Sequence, residues 1–303
     1  MYLLSDTIWV VAEKYIIKRI RYKMQEQRKF IPHPVPINLI GTGGISPHGW
    51  SFICPVCENS KWSDFCRIKE WSVKECTVCG YARIDPVPMR ETRPSLYSKE
   101  KVVERNAKQL RLSQKFSRVM KRSFNRIANR NKGEIFYNKL SGYLPLAAKI
   151  FDIGCGDGEF LKLAKTKFSC TGIEISEYLA GLAREQNGIK VIVGDFQAAD
   201  VIHEKFDGIT LISLLEHLDD PGRTLKKCFN LLNNGGVLLI KTVNYGCLNR
   251  MIKKGNWTGF RPPDHVVYFT PLSLRLLLKN IGFARTRIAS WPFNDNMYCD
   301  AWK

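Results

Sequence analysis

The sequence predicts an α/β chain, in which a doubly wound, mostly parallel sheet is preceded by a small cysteine-bearing module and an N-terminal helix. Three observations carry this. Residues 149–158 read Lys-Ile-Phe-Asp-Ile-Gly-Cys-Gly-Asp-Gly, an apolar β-prone run that breaks into alternate glycines before the helix-forming Glu159-Phe-Leu-Lys-Leu-Ala. Four further β-prone runs follow at strand–helix–strand spacing, and the first two close on an acid, Glu174 and Asp195. Such alternation is the pattern of a parallel sheet covered on both faces. Upstream, Cys54-Pro-Val-Cys57 and Cys76-Thr-Val-Cys79 stand eighteen residues apart.

Taken in chain order, residues 1–32 form a basic amphipathic segment. Trp9, Ile16, Ile17, Ile20 and Met24 share a stripe, and Lys14, Lys18, Arg19, Arg21 and Lys23 supply charge. That pattern suits packing on the domain behind it or peripheral contact with an anionic membrane surface. Residues 33–50, with His33-Pro34-Val-Pro36 and several glycines, read as a linker. Residues 51–98 carry the two CxxC pairs, the spacing of a zinc ribbon. Each knuckle turns two thiolates toward one ion, and Cys54, Cys57, Cys76 and Cys79 complete a tetrahedron at about 2.3 Å, with no position left open for chemistry. Residues 99–132 hold 12 basic against 2 acidic side chains and place Arg105, Lys108, Arg111, Lys115, Arg118, Arg122 and Arg126 on one helical face. This basic connector is either a solvated face or an attraction for something anionic. Residues 133–303 make the doubly wound domain.

Composition bounds the rest. The chain has 303 residues and a net charge of +19, about half of which sits in 99–132. No apolar run approaches the roughly 18 residues of a membrane span, and no secretory leader pattern is present, so a cytoplasmic protein is expected. The ten cysteines are too sparse for a disulfide scaffold and fit metal ligands and free thiols.

The glycine-rich turn carries the chemistry. A dinucleotide fingerprint requires glycine where this chain has Glu159, whose carboxylate would repel a pyrophosphate. The turn instead reads Asp152-x-Gly154-x-Gly156-x-Gly158. This resembles motif I of the class I S-adenosylmethionine (SAM) methyltransferases, whose ligand is a sulfonium cation without phosphate. Glu174, followed by Ile175, sits where an acid accepts hydrogen bonds from both ribose hydroxyls. The resemblance implies that Asp195 holds the adenine amino group and that Phe196 faces the ring. It also implies a seven-stranded Rossmann-like methyltransferase sheet.

With its ribbon, the chain looks like the zinc-ribbon members of that superfamily, a branch that includes C-methyltransferases of nucleotide-linked deoxysugars. Three pieces match: the ribbon, the SAM half from Ile150 to Asn244, and Trp257 to Thr270. In the sugar enzymes the last segment carries a Tyr, an acid and a His that serve proton abstraction. Here Asp264 and His265 take the acid and His positions, while Pro262 replaces the Tyr, which sets O-methylation beside C-methylation. His217, after Glu216 at the end of the fourth run, is a second candidate base. Trp257 and Tyr268 are candidate walls of an acceptor pocket. The expected activity is therefore SAM-dependent methyl transfer to a small polar acceptor, a sugar or glycan precursor. The alternative is a ribosomal RNA methyltransferase that grips RNA with its basic helix and zinc module.

Overall fold

The computed structural model describes residues 53–88, 132–198, 202 and 204–303. The expected N-terminal helix (1–32), the linker (33–50) and the basic connector (99–132) apart from Lys132 lie outside the described residues. The cysteine module forms a small antiparallel sheet of β1 (Trp62–Ile68), β2 (Trp71–Cys76) and β3 (Ala82–Asp85). After it come α1 (Lys132–Tyr143), β4 (Lys149–Ile153), α2 (Glu159–Ala164), β5 (Ser169–Glu174), α3 (Glu177–Asn187), β6 (Lys190–Val193) and β7 (Phe206–Ile212). The chain continues through α4 (Pro221–Leu231), β8 (Leu232–Val243), α5 (Leu248–Lys253), β9 (Val267–Tyr268), α6 (Pro271–Ile281), β10 (Arg285–Ser290) and β11 (Asn296–Trp302).

The large sheet has seven strands in the order β10-β11-β8-β7-β4-β5-β6. Neighbours from β8 to β6 are parallel, whereas β11 runs antiparallel to both β8 and β10. This is the expected doubly wound sheet, closed at one edge by a terminal hairpin. Successive side chains of a strand point to opposite faces, so each strand feeds two cores. Ile150, Val237 and Leu239 pack with Phe136 and Leu140 of α1, Phe160 and Leu161 of α2, and Ala180 and Ala183 of α3. Phe151, Leu238 and Ile240 point the other way, to Leu225 and Cys228 of α4 and Leu274, Leu277 and Leu278 of α6.

Local signals explain the helix limits. The Ser176 hydroxyl accepts from Leu179 N at the start of α3, and Gly188 closes it in the left-handed region. Asp220 caps α4 with Pro221 at its first turn, and Thr270 and Ser273 make a reciprocal capping box on α6.

The small sheet is not a separate bead. Cys54, Val56, Val73, Tyr81 and Ile84 belong to the same buried cluster as Phe151, Leu238 and Leu274. β9 pairs with β3 through Ala82↔Tyr268 and Arg83↔Val267, so a strand from the far end of the large domain becomes the fourth strand of the small sheet. Ile84 N donates to Val266 O at 3.0 Å, the Thr270 hydroxyl to Cys79 O at 3.3 Å, and the Tyr245 hydroxyl to Glu75 at 2.8 Å.

Candidate functional site

Between β4 and β7 the strand order reverses, and crossover connections leave on opposite faces. A crevice must open there beyond the carboxyl ends of the strands. It is a cavity of about 730 Å³, within the usual range for a small-molecule site.

The floor is the turn after β4. Gly154, Gly156 and Gly158 adopt φ of +72°, +58° and +80°, which disfavours any side chain. A Cβ on Gly154 would stand 3.0 Å from Leu214, and one on Gly158 would stand 3.0 Å from Ala183. Beside Gly156 there is open space, so bare backbone faces the cavity. Glu174, at the tip of β5 and 6% exposed, braces this turn: its two oxygens accept from Gly156 N and Ser176 N, each at 2.9 Å. Burial raises its pKa against the opposing pull of those amides. Ile175, Asp195 and Phe196 line the same wall, with Gln197 and Thr224 beyond them. Lys227 lies over the Phe196 ring, 4.6 Å from its centre.

Two residues expected at the cofactor stand outside the lining. Gly158 caps α2 and packs against Ala183 of α3. Asp152 is 2% exposed and accepts from the Thr210 hydroxyl at 2.6 Å, beneath the turn. Burial pushes its pKa up to about 7, only partly offset by that hydrogen bond.

The opposite end of the cavity gathers residues far apart in sequence. His265 is 3% exposed and its Nδ1 lies 2.7 Å from Gly259 O. A carbonyl there requires Nδ1 to carry the proton, which leaves Nε2 as a lone-pair acceptor. Burial, reinforced by the charge of His217, lowers the His265 pKa to about 4. His217 packs edge-on against it, ring centres 4.9 Å apart. Its Nδ1 is 2.7 Å from Asp264 O and 3.2 Å from Asp264 Oδ1. Burial acts to lower the His217 pKa, but Asp264 and the charge of Glu216 outweigh it and the net shift is upward. The pair is therefore asymmetric: Asp264 and Glu216 push the His217 pKa up, while burial beside His217 pushes that of His265 down. All three candidate residues, His217, Asp264 and His265, line the cavity.

Two buried groups make stability depend on pH with opposite signs. The folded pKa of His265 is depressed from the ordinary 6.5 to about 4. The unfolded chain then takes up a proton in that window that the fold refuses, and stability falls as pH drops, by up to about 3 kcal/mol. Asp152 is raised from 3.8 to about 7, so its contribution is lost as pH rises through that range. His265→Gln should remove the first slope and Asp152→Asn the second. Denaturant unfolding between pH 4.5 and 7.5 measures both, and a variant curve parallel to that of the parent protein would contradict the assignment.

Sequence reasoning missed Lys241 and Ser213. Lys241 is a lone charge in the apolar run Val237-Leu-Leu-Ile-Lys-Thr-Val, which is a legible signal; nothing in the sequence marks Ser213. Trp257 and Tyr268, candidate walls, are instead 1% and 0% exposed in an aromatic cluster with Tyr245 and Phe260. They support the wall from behind.

Away from the cavity, the four cysteines of the small module converge. Cys54 and Cys79 sulfurs lie 3.6 Å apart, Cys57 and Cys76 sulfurs 3.5 Å apart, and all four fall within 4.8 Å of one another. A tetrahedron of thiolates about 2.3 Å from a metal has edges near 3.8 Å, so the set fits one ion. Glu216, His217 and His265 also approach within 4.8 Å, but Glu216 accepts from the Thr242 hydroxyl and draws on Lys241, whose positive charge disfavours a second cation there.

A family profile described as a methyltransferase domain matches residues 116–287. Over 101 residues, 31% of this chain and 43% of the relative, the sequence is 35% identical to a ubiquinone biosynthesis O-methyltransferase of Coxiella burnetii. Over 103 residues it is 31% identical to a protein of the same name from Pseudomonas fluorescens, with 32% and 44% covered. The chain thus spans less than half the length of these relatives. Among solved structures, a magnesium protoporphyrin IX methyltransferase from Synechocystis PCC 6803 is 21% identical with a TM-score of 0.47, covering 59% of this chain and 84% of that one.

Proposed function

Because this chain belongs to the methyltransferase-domain family, whose profile covers more than half of it, we propose that it moves a methyl group from SAM to a hydroxyl of a small polar acceptor, a sugar or glycan precursor. The supporting observation is the joining, in one cavity, of a bare glycine turn with a buried carboxylate at one end and a neutral histidine at the other. The relatives named as O-methyltransferases favour oxygen over carbon as the methyl acceptor. The cysteine cluster is read as a structural zinc site, since four thiolates leave no open coordination position.

The residues present fit the donor. Glu174 offers carboxylate lone pairs to ribose hydroxyls, Asp195 and Phe196 in the lining offer an acceptor and a ring face to an adenine, and the open side of Gly156 admits the methionine portion without a clash. When bound, SAM supplies a methyl carbon made electrophilic by its sulfonium and leaves as a neutral sulfide. The chain's own work is to align the acceptor oxygen behind that carbon at about 3–3.5 Å and to exclude water, which can account for much of the rate. As the C–O bond forms, the hydroxyl becomes a strongly acidic oxonium. A weak base is then sufficient, and His265 Nε2, unprotonated at neutral pH, takes the proton. His217 packs edge-on against that ring and is itself held by Asp264.

His265→Gln is expected to reduce kcat by about 10²–10⁴-fold while leaving SAM affinity unchanged; full turnover in the variant would remove the residue from the reaction. The whole reading is tested by calorimetric SAM binding followed by methyl-label transfer to nucleotide-sugars and, separately, to ribosomal RNA. Label entering RNA alone would overturn the small-molecule assignment.

A further inference from the structure

Among the described residues, Lys241 of the cavity has no carboxylate within ion-pair distance. Lys241 lies in β8, is 5% exposed and lines the cavity. It donates to the Ser213 hydroxyl at 2.7 Å. Glu216 attracts it from farther away. Lys132 and Arg261 line the same cavity and act on Lys241 with like charge.

The fold commits backbone to this arrangement. Ser213 adopts φ of +58°, an unfavourable conformation for a residue with a side chain. That geometry lets Ser213 N donate to Lys241 O at 2.8 Å while the ammonium returns to the Ser213 hydroxyl. An ammonium withdrawn from water, with only a neutral group at hydrogen-bond distance and a carboxylate farther off, is costly to the fold. Burial accordingly holds its pKa down at about 8. A group delivered by a ligand, carrying negative charge, would satisfy it.

We propose that Lys241, within the positive field of Arg261, which itself pairs with Asp264 at 3.3 Å, receives a carboxylate or phosphate of the methyl acceptor, so that the acceptor is an anion and Lys241 sets that specificity. This rests on the methyl-transfer reading of the cavity and narrows its substrate class. Glu174 and Asp195 mark the donor end, whereas Lys241 stands with Ser213, Glu216 and Arg261 at the histidine end. The anion expected there belongs to the acceptor and not to the carboxylate of the donor.

The test uses the full chain saturated with S-adenosylhomocysteine and titrates it with phenyl phosphate, benzoate and the neutral benzamide in a calorimeter. Lys241→Met and Lys241→Gln should each weaken both anions by about tenfold or more. Lys241→Arg and the exposed control Lys162→Met should stay within about threefold of the parent protein, and benzamide binding should not change. Equal phenyl phosphate affinity in the parent protein and both neutral variants would overturn the proposal. So would a loss confined to S-adenosylhomocysteine, which would assign Lys241 to the donor. Failure of the parent protein to bind S-adenosylhomocysteine would count against the methyl-transfer reading, while the anion titrations would still report on Lys241.

Discussion

Replacing Glu174 by alanine is expected to weaken SAM binding by about 10²–10³-fold. Each hydrogen bond to a buried carboxylate is worth roughly 1.5–3 kcal/mol, and two ribose hydroxyls are at stake. The same change strips Gly156 N and Ser176 N of their acceptor, so the turn loosens as well as losing its ligand contact. Glu174→Gln keeps one acceptor oxygen and should lose about tenfold. Asp152 gives the contrast: it lies under the turn, bonded to Thr210, outside the lining. Asp152→Asn preserves that hydrogen bond and is expected to cost less than about fivefold in affinity. Isothermal calorimetry on variants of matched thermal stability reads all three, and a Glu174→Ala protein that binds SAM within about threefold of the parent would refute the placement of the donor.

On the structural-zinc reading of the cysteine cluster, removing the metal should stop turnover without abolishing donor binding. Structural zinc contributes on the order of 10 kcal/mol to small modules of this kind, so residues 53–88 are expected to lose their order. The effect then travels by named contacts. β9 loses its partner β3, Val266 O loses Ile84 N, and Thr270 loses Cys79 O. His265 lies two residues before that strand, and a shift of about 1 Å at such a position can cost about 10²-fold in rate. The glycine turn and Glu174 are instead braced within the large sheet, Gly154 N donating to Ile173 O and Gly156 N to Glu174. We therefore expect kcat to fall by at least about 10²-fold after chelation, with SAM affinity within about threefold. Amide exchange should rise in 262–270, and Cys54→Ser should reproduce the pattern. A demonstrably metal-free protein with full activity, or one that loses donor affinity in parallel, would contradict this coupling.

The parts of the molecule legible in the sequence are those a few consecutive residues decide. Alternate glycines at 154, 156 and 158 dictate a backbone path whatever surrounds them, and CxxC spacing brings two sulfurs together within one turn. β-prone runs closing on Glu174 and Asp195 place acids at strand ends because parallel βαβ units all deliver their carboxyl ends to one edge. The Asp220 and Thr270 caps follow from local hydrogen bonding alone.

What only the tertiary structure decided is which distant side chains share a volume. His217 and His265, Ser213 and Lys241, and Cys79 and Thr270 meet through strand register and crossover packing. No nearest-neighbour pattern in the chain encodes that. The two-residue β9 is too short to announce itself and exists because β3 offers an edge. Trp257 and Tyr268 look the same in sequence whether they wall a pocket or back it, since an aromatic buried against other aromatics gains the same apolar area. The sequence by itself determined the sheet, the glycine turn and the paired cysteines; the depth of Asp152, the opposed pKa shifts of the histidine pair and the withdrawal of Lys241 from water came from burial, which is a property of the folded whole.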